Sequence, residues 1–186
     1  MSAAIASSHR LAPVESRYAP LFCFVLLTAA CALASLAFAC ATPFAAFAVV
    51  AAATLPLQSA LLVTAAAWLV NQGIGFGFLH YPVDAGTVVW GFVIGAAALS
   101  ATGAAVAMLR LMQRVGTVVA LSTALVGAYV AYELVLFAAT PFLGGDFTAA
   151  IVGRLGLLSG LWTVGLVGAC EIARLLNSLR GHQAVS

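Results

Sequence analysis

The stretch from Thr87 to Leu109 reads TVVWGFVIGAAALSATGAAVAML and contains no acidic or basic side chain. At about 1.5 Å per residue a helix of that length rises about 34 Å, enough to cross a hydrocarbon layer of about 30 Å. A barrel strand is excluded because the alternation of polar and apolar positions is absent, and a lone segment in lipid must satisfy its own backbone groups. The stretch therefore predicts a transmembrane helix, and the rest of the chain repeats it.

Comparable apolar runs lie at about 57–78, 43–55 and 21–41 on one side, and at about 115–139 and 149–176 on the other. Pro43, Pro56, Pro82 and Pro141 fall at four of the breaks, as expected of a residue that lacks an amide proton and restricts its predecessor. Hydrophobic residues make up 65% of the 186 and charged residues 6%, against roughly 25% charged in soluble domains. The expected fold is all-α: a polytopic membrane protein of six transmembrane helices forming one domain over residues 20–178, with a flexible arm at 1–19 and a tail at 179–186. The second run is the doubtful one, since about 13 residues rise only about 20 Å, and five spans is the alternative.

Arginine placement orients the bundle. All seven basic residues are arginines. With the N-terminus inside and six crossings, Arg10, Arg17, Arg110, Arg114, Arg174 and Arg180 fall on the cytoplasmic side and the outer loops carry none. That asymmetry follows the positive-inside rule, so both termini are expected in the cytoplasm and the bundle is expected to be surrounded by lipid. Residues 37–39, Ala-Phe-Ala, match a signal-peptide cleavage pattern, but the long polar arm before the apolar run argues for retention. A net charge of +2 from scattered arginines gives no surface for nucleic acid. Cys23, Cys31, Cys40 and Cys170 lack metal-ligand or redox spacing and read as small packing residues.

Polar residues concentrate just upstream of the opening stretch, in Asn71-Gln72-Gly73-Ile74-Gly75-Phe76-Gly77-Phe78-Leu79-His80-Tyr81-Pro82-Val83-Asp84. The topology puts His80, Tyr81 and Asp84 in the second outer loop, Asp146 in the third, and Asn71 and Gln72 about two turns below the surface. Asn71 and Gln72 read either as interhelical glue or as the wall of a cavity, and Phe76, Phe78, Tyr81 and Trp90 read first as an interfacial anchoring belt and otherwise as an aromatic wall to that cavity. The alternating glycines suit close approach or local unwinding, and their spacing does not fit a nucleotide fingerprint. A neutral imidazole is the commonest metal-ligating side chain, yet a protein-only zinc site needs three or four ligands. His80 therefore fits better as the one protein ligand to a metal already held by a macrocycle.

Within the membrane, Glu133 and Arg154 occupy similar depths and are candidates for an ion pair or a cavity wall, because isolated charges there are costly. Ala30, Ala34, Ala37 and Ala41 form a small-residue stripe suited to packing against a partner helix, and Gly91/Gly95 and Gly156/Gly160 are two GxxxG pairs. No GxSxG, HExxH or close carboxylate pair is present, and an enzyme is not expected.

Asn71-Gln72-x-Ile74-Gly75-Phe76, the loop His80-Tyr81-Pro82 and Thr87-x-x-Trp90-Gly91, in a six-helix chain of this length, resemble BtuM-type cobalamin-uptake proteins. These are similar to the substrate-binding S-components of energy-coupling-factor (ECF) transporters. The resemblance covers about residues 71–91 and implies vitamin uptake: a periplasmic cavity for a corrinoid, with a loop residue as axial cobalt ligand. Residues Asn71, Gln72, Phe76, Tyr81, Asp84 and Trp90 would line that cavity, and the alanine stripe would dock an energy-coupling transmembrane subunit served by separate ATPases. Cobalamin would be the transported ligand, and no intrinsic cofactor is expected. Where better-known members carry a cysteine this chain has His80, which keeps axial ligation and removes the expectation of thiol-dependent decyanation. The rival expectations are transport of another small molecule and a structural subunit that binds no ligand.

Overall fold

The computed structural model describes residues 10–38, 41–145 and 148–183, and among them all regular structure is helical. The helices are α1 (Ala19–Phe38), α2 (Phe44–Thr54), α3 (Leu57–Gly73, prolonged by a π-helical turn Ile74–Phe78), α4 (Ala85–Leu111), α5 (Thr117–Leu143) and α6 (Ala149–Gln183). Five of them, α3 counted with its π-turn, are long and apolar enough to cross a membrane. The chain is thus a helical membrane protein.

Helix α2 is the exception and the centre of the bundle. All eleven of its residues are buried, and each of the other five helices touches it. Its sequence, FAAFAVVAAAT, has no polar face to give to solvent or polar neighbours, and a helix apolar all round belongs in the interior. Six alanines let neighbouring backbones come close, which matters because lipid tails are as apolar as the core and packing, not exclusion from water, holds such helices together. Phe44 and Phe47 fill the remaining space, Phe44 stacked on Tyr132 of α5 with centroids 6.3 Å apart and Phe47 edge-on to Trp162 of α6 at 6.1 Å.

Hydrogen bonds fix which loops share an end. At one end, Asn71 of α3 donates to Ser35 of α1 and to Thr42 just before α2. At the other, Thr54, the last residue of α2, pairs with Cys23 near the start of α1, 2.9 Å apart. Helix α2 therefore joins the two ends despite its length.

The arm before α1 corrects an expectation. Residues 10–18 are not a flexible appendage: Leu11 and Pro13 are buried, and the Leu11 amide donates to the Ala53 carbonyl at the end of α2 (3.1 Å). The Arg10 guanidinium donates to the carbonyls of Met112 and Val115 in the α4–α5 turn, and Asn177 of α6 donates to the Pro13 carbonyl at 2.9 Å. The physical cause is the short α2, whose terminal carbonyls would otherwise be left unpaired. The arm fills that gap and brings residues 10–18, the α4–α5 turn and the last turns of α6 to one end. Residues 1–9 lie outside the described ones.

Two further boundaries differ from expectation. Helix α5 continues past Pro141 to Leu143, because a proline in the last turn forfeits only one backbone bond near the helix end. Helix α6 runs to Gln183, so most of the expected tail from residue 179 is helix.

Candidate functional site at the π-helical end of α3

The end opposite the arm is shaped by how α3 stops. Its last turn widens, with the Leu79 amide donating to the Ile74 carbonyl five residues back at 2.8 Å, and the Tyr81 amide reaching the Gly75 carbonyl at 3.0 Å. Such π-turns are rare and recur at functional positions. To close this turn His80 adopts φ 55°, in the left-handed region, and it is the one non-glycine residue there among those described. Histidine is among the side chains enriched in that conformation. The chain then folds back, and the Tyr81 ring lies over Gly75 so closely that a Cβ at that position would sit 2.8 Å from it. Phe76 meets Tyr81 edge-on at 6.4 Å. The His80 side chain is left exposed, with no hydrogen bond or ion pair to any described residue.

Asn71 and Gln72 are half-buried, and their amides are engaged with each other and with neighbouring helices. The Asn71 amide nitrogen donates to Ser35 (2.9 Å) and Thr42 (3.0 Å), and its oxygen accepts from Gln72 at 3.0 Å. The Gln72 side-chain oxygen is packed against Gly91 of α4. One turn inward, the Trp68 indole lies on Gly95 and its N–H donates to the Gly91 carbonyl at 2.9 Å. Of the two readings these amides allowed, the structure makes them a network stitching α1, α3 and the start of α2, with Gln72 seated on α4.

Asp84 is likewise engaged as the N-cap of α4. One carboxylate oxygen accepts from the Thr87 amide and the other from the Thr87 hydroxyl, both at 2.9 Å. The Thr87 amide and then its hydroxyl hold the Asp84 carboxyl below its ordinary range, since both bonds favour the ionised form. Trp90, half-buried a turn and a half into α4, has its ring near Gly145, 3.5 Å from where a Cβ would be, and so ties α4 to the loop after α5.

The expected pairing of Glu133 with Arg154 is not formed. Among the described residues the ion pairs are Glu15–Arg17 and Glu171–Arg174, both on exposed side chains at the arm end. Arg154 is exposed on α6, whereas Glu133 is 8% exposed and neither of its carboxyl oxygens has a hydrogen-bond partner. Arg154, about one turn into α6, is exposed on the outside of the bundle, while Glu133 is buried within it.

The alanine stripe on α1 is also corrected. Ala30 and Ala34 are buried inside the bundle, Ala37 is exposed, and Ala41 lies beyond the end of the helix. What α1 presents outward is Leu21, Val25, Leu33 and Leu36. The small residues face inward because α1 must approach α2 and α3 closely there, as the bond from Cys31 to the Ala67 carbonyl (3.0 Å) shows.

Cys23, Cys31 and Cys170 are buried free thiols, and Cys40 and Asp146 fall outside the described residues. Among the described residues no three His, Cys, Asp or Glu side chains gather as a metal site. A recess of about 500 Å³ lies at the arm end, between Leu11–Val14 and the α2–α3 turn, far from His80. The residues that the sequence reading missed are Arg10, Leu11 and Pro13, whose signal was an apolar residue and a proline inside an otherwise polar arm. No protein-family model, curated protein or solved structure matches this chain.

Proposed function

We propose that the chain is a multi-pass inner-membrane protein that crosses the bilayer six times, with both termini in the cytoplasm. At its periplasmic end it captures a corrinoid such as cobalamin for uptake, with the His80 imidazole as axial ligand to cobalt. The observation that carries this reading is the exposed imidazole without a partner among the described residues, set on a left-handed residue between a π-turn and Pro82. A ligand held by backbone closure on both sides loses little freedom on binding. Arg10, Arg17, Arg110, Arg114 and Arg174 gather at the arm end, which supports the cytoplasmic assignment of that end. Tyr81 and Phe76 would flank the corrin. Asn71, Gln72 and Asp84 act indirectly, by fixing the helices that carry the loop. Energy input would come from a coupling transmembrane subunit and its ATPases, which on α1 would meet the Leu21–Leu36 face rather than the alanines.

The test separates loop shape from ligation. His80→Gly retains the left-handed backbone, which glycine adopts without the strain a side chain adds there, and removes only the imidazole. Wild type is expected to perturb the corrin absorption bands on mixing with cobalamin, and His80→Gly to lose that change while keeping equal or higher thermal stability. Equal spectra and affinity for the two proteins would exclude His80 as the ligand. Growth of a cobalamin-requiring strain rescued by wild type and not by His80→Gly would tie the ligand to uptake.

A second reading is favoured by the closed amide network: a structural subunit of a larger membrane complex that binds no ligand. Ligand-independent copurification with a stoichiometric partner, together with no corrinoid binding, would select it.

A further inference from the structure

Glu133 lies about ten residues, or about 15 Å, from the end of α5, inside the hydrocarbon depth of the longer helices. It is buried to more than nine-tenths, and neither carboxyl oxygen has a partner. The helices packed on α5 are α2, α4 and α6. Helix α2 carries no titratable side chain and α4 none before Arg110. Helix α6 contributes Arg154, which is exposed, while its Cys170, Glu171 and Arg174 lie toward the arm end. On α5 itself the titratable neighbours are Tyr132, stacked on Phe44, and Tyr129, one turn away with its hydroxyl beside the carboxyl.

The hydrogen-bond chemistry of Tyr129 decides which form of Glu133 fits. The Tyr129 hydroxyl bonds to the Val152 carbonyl of α6, and since a carbonyl only accepts, the single phenolic proton is committed there. What the phenol oxygen still offers Glu133 is lone pairs. A carboxylate, which only accepts, gains nothing from them, whereas a carboxylic acid can donate to them. A metal ion is a poor alternative, because it needs several oxygen or nitrogen ligands, and no such cluster exists among the described residues.

We propose that Glu133 is a proton-binding site: in the closed bundle the carboxyl carries a proton, and the Tyr129 oxygen beside it is the acceptor that a small side-chain adjustment brings into bonding range, continuing a chain that ends at the Val152 carbonyl. The proton passes to water only when the seam between α5 and α6 parts. That seam is held by Tyr129 lying against Gly156 and bonded to Val152, so charging Glu133 and opening the seam are coupled. The site is independent of the corrinoid reading and would serve proton-linked movement of any substrate.

The test is infrared difference spectroscopy of the full chain reconstituted in lipid at neutral pH. Wild type is expected to show a protonated-carboxyl stretching band that is lost in Glu133→Gln and shifted in Tyr129→Phe, which lacks the acceptor. Absence of any band that responds to either substitution would overturn the proposal. If Glu133→Gln does not assemble, the Tyr129→Phe spectrum decides alone: a shift supports the site and no shift refutes it. Thermal stability gives a second readout. Wild type should lose stability as pH rises from the ordinary carboxylate range, where the unfolded chain releases this proton, through the value at which the closed form releases it, and Glu133→Gln should lack that component of the profile. Superimposable profiles refute the proposal, as would a band that changes when sodium replaces choline.

Discussion

Replacing Gly95 by alanine tests the α3–α4 contact most directly. An added Cβ would lie 2.7 Å from Trp68 Cε2, 3.0 Å from Nε1 and 3.1 Å from Cδ2. Ordinary carbon contacts need about 3.5–4.0 Å, so the indole must retreat by roughly 1 Å. That retreat breaks the bond from Trp68 to the Gly91 carbonyl, now 2.9 Å. Overpacking costs about 1–3 kcal/mol and an interhelical hydrogen bond in a membrane protein about 0.6 kcal/mol on average. Alanine returns about 1 kcal/mol of helix propensity, which leaves a net loss of about 0.6–2.6 kcal/mol. Gly103, on the same helix, has nothing within 4 Å of its added Cβ. Gly103→Ala is therefore expected to be neutral or stabilising by up to about 1 kcal/mol. The measurement is reversible unfolding in mixed detergent micelles, with both variants and a cycle in which Trp68→Ala relieves the Gly95→Ala penalty. If Gly95→Ala and Gly103→Ala have the same stability, or the penalty persists without Trp68, the packing argument is wrong.

Two further outcomes follow from the loops. The folded state holds the Asp84 carboxyl below its ordinary range, so its capping contribution is complete above the unfolded value and is lost as pH falls through the folded one. Protection of the Thr87 and Val88 amides from hydrogen exchange, taken relative to the intrinsic rate at each pH, should fall across that acid window in wild type and be low already above it in Asp84→Ala; unchanged protection in the variant at neutral pH would remove the cap from the account. Arg10→Ala removes two bonds to the α4–α5 turn and should make the arm cleavable after Arg17 in detergent while the transmembrane core survives. Resistance equal to wild type would mean that Leu11 and Pro13 hold the arm unaided.

Much of this architecture was legible because lipid imposes a simple rule. Long runs without charge must be helices, and runs such as 87–109 located the long helices within a few residues, except that α6 continues seven residues past its run. The same composition located α2 yet could not place it, since an alanine-rich run of eleven residues looks alike in lipid and inside a bundle. The site was legible as a place and less so as roles. A clustering of amides, glycines and a histidine marked the end of α3, but whether Asn71 faces a cavity or Ser35 depends on the rotation of α3 against α1. That rotation is set by packing partners distant in sequence.

By itself the sequence determined the helical class, the long apolar segments and the polar cluster near His80, all consequences of transfer energies and local backbone preferences. Only the tertiary structure decided that α2 is the core, that the arm is a strap, that Asn71, Gln72 and Asp84 are engaged internally while His80 is not, and that Glu133 is buried apart from Arg154. Each of these depends on which helix faces meet. In a chain so uniformly apolar, the hydrophobic pattern barely distinguishes one face from another, so small residues and a few hydrogen bonds make the choice.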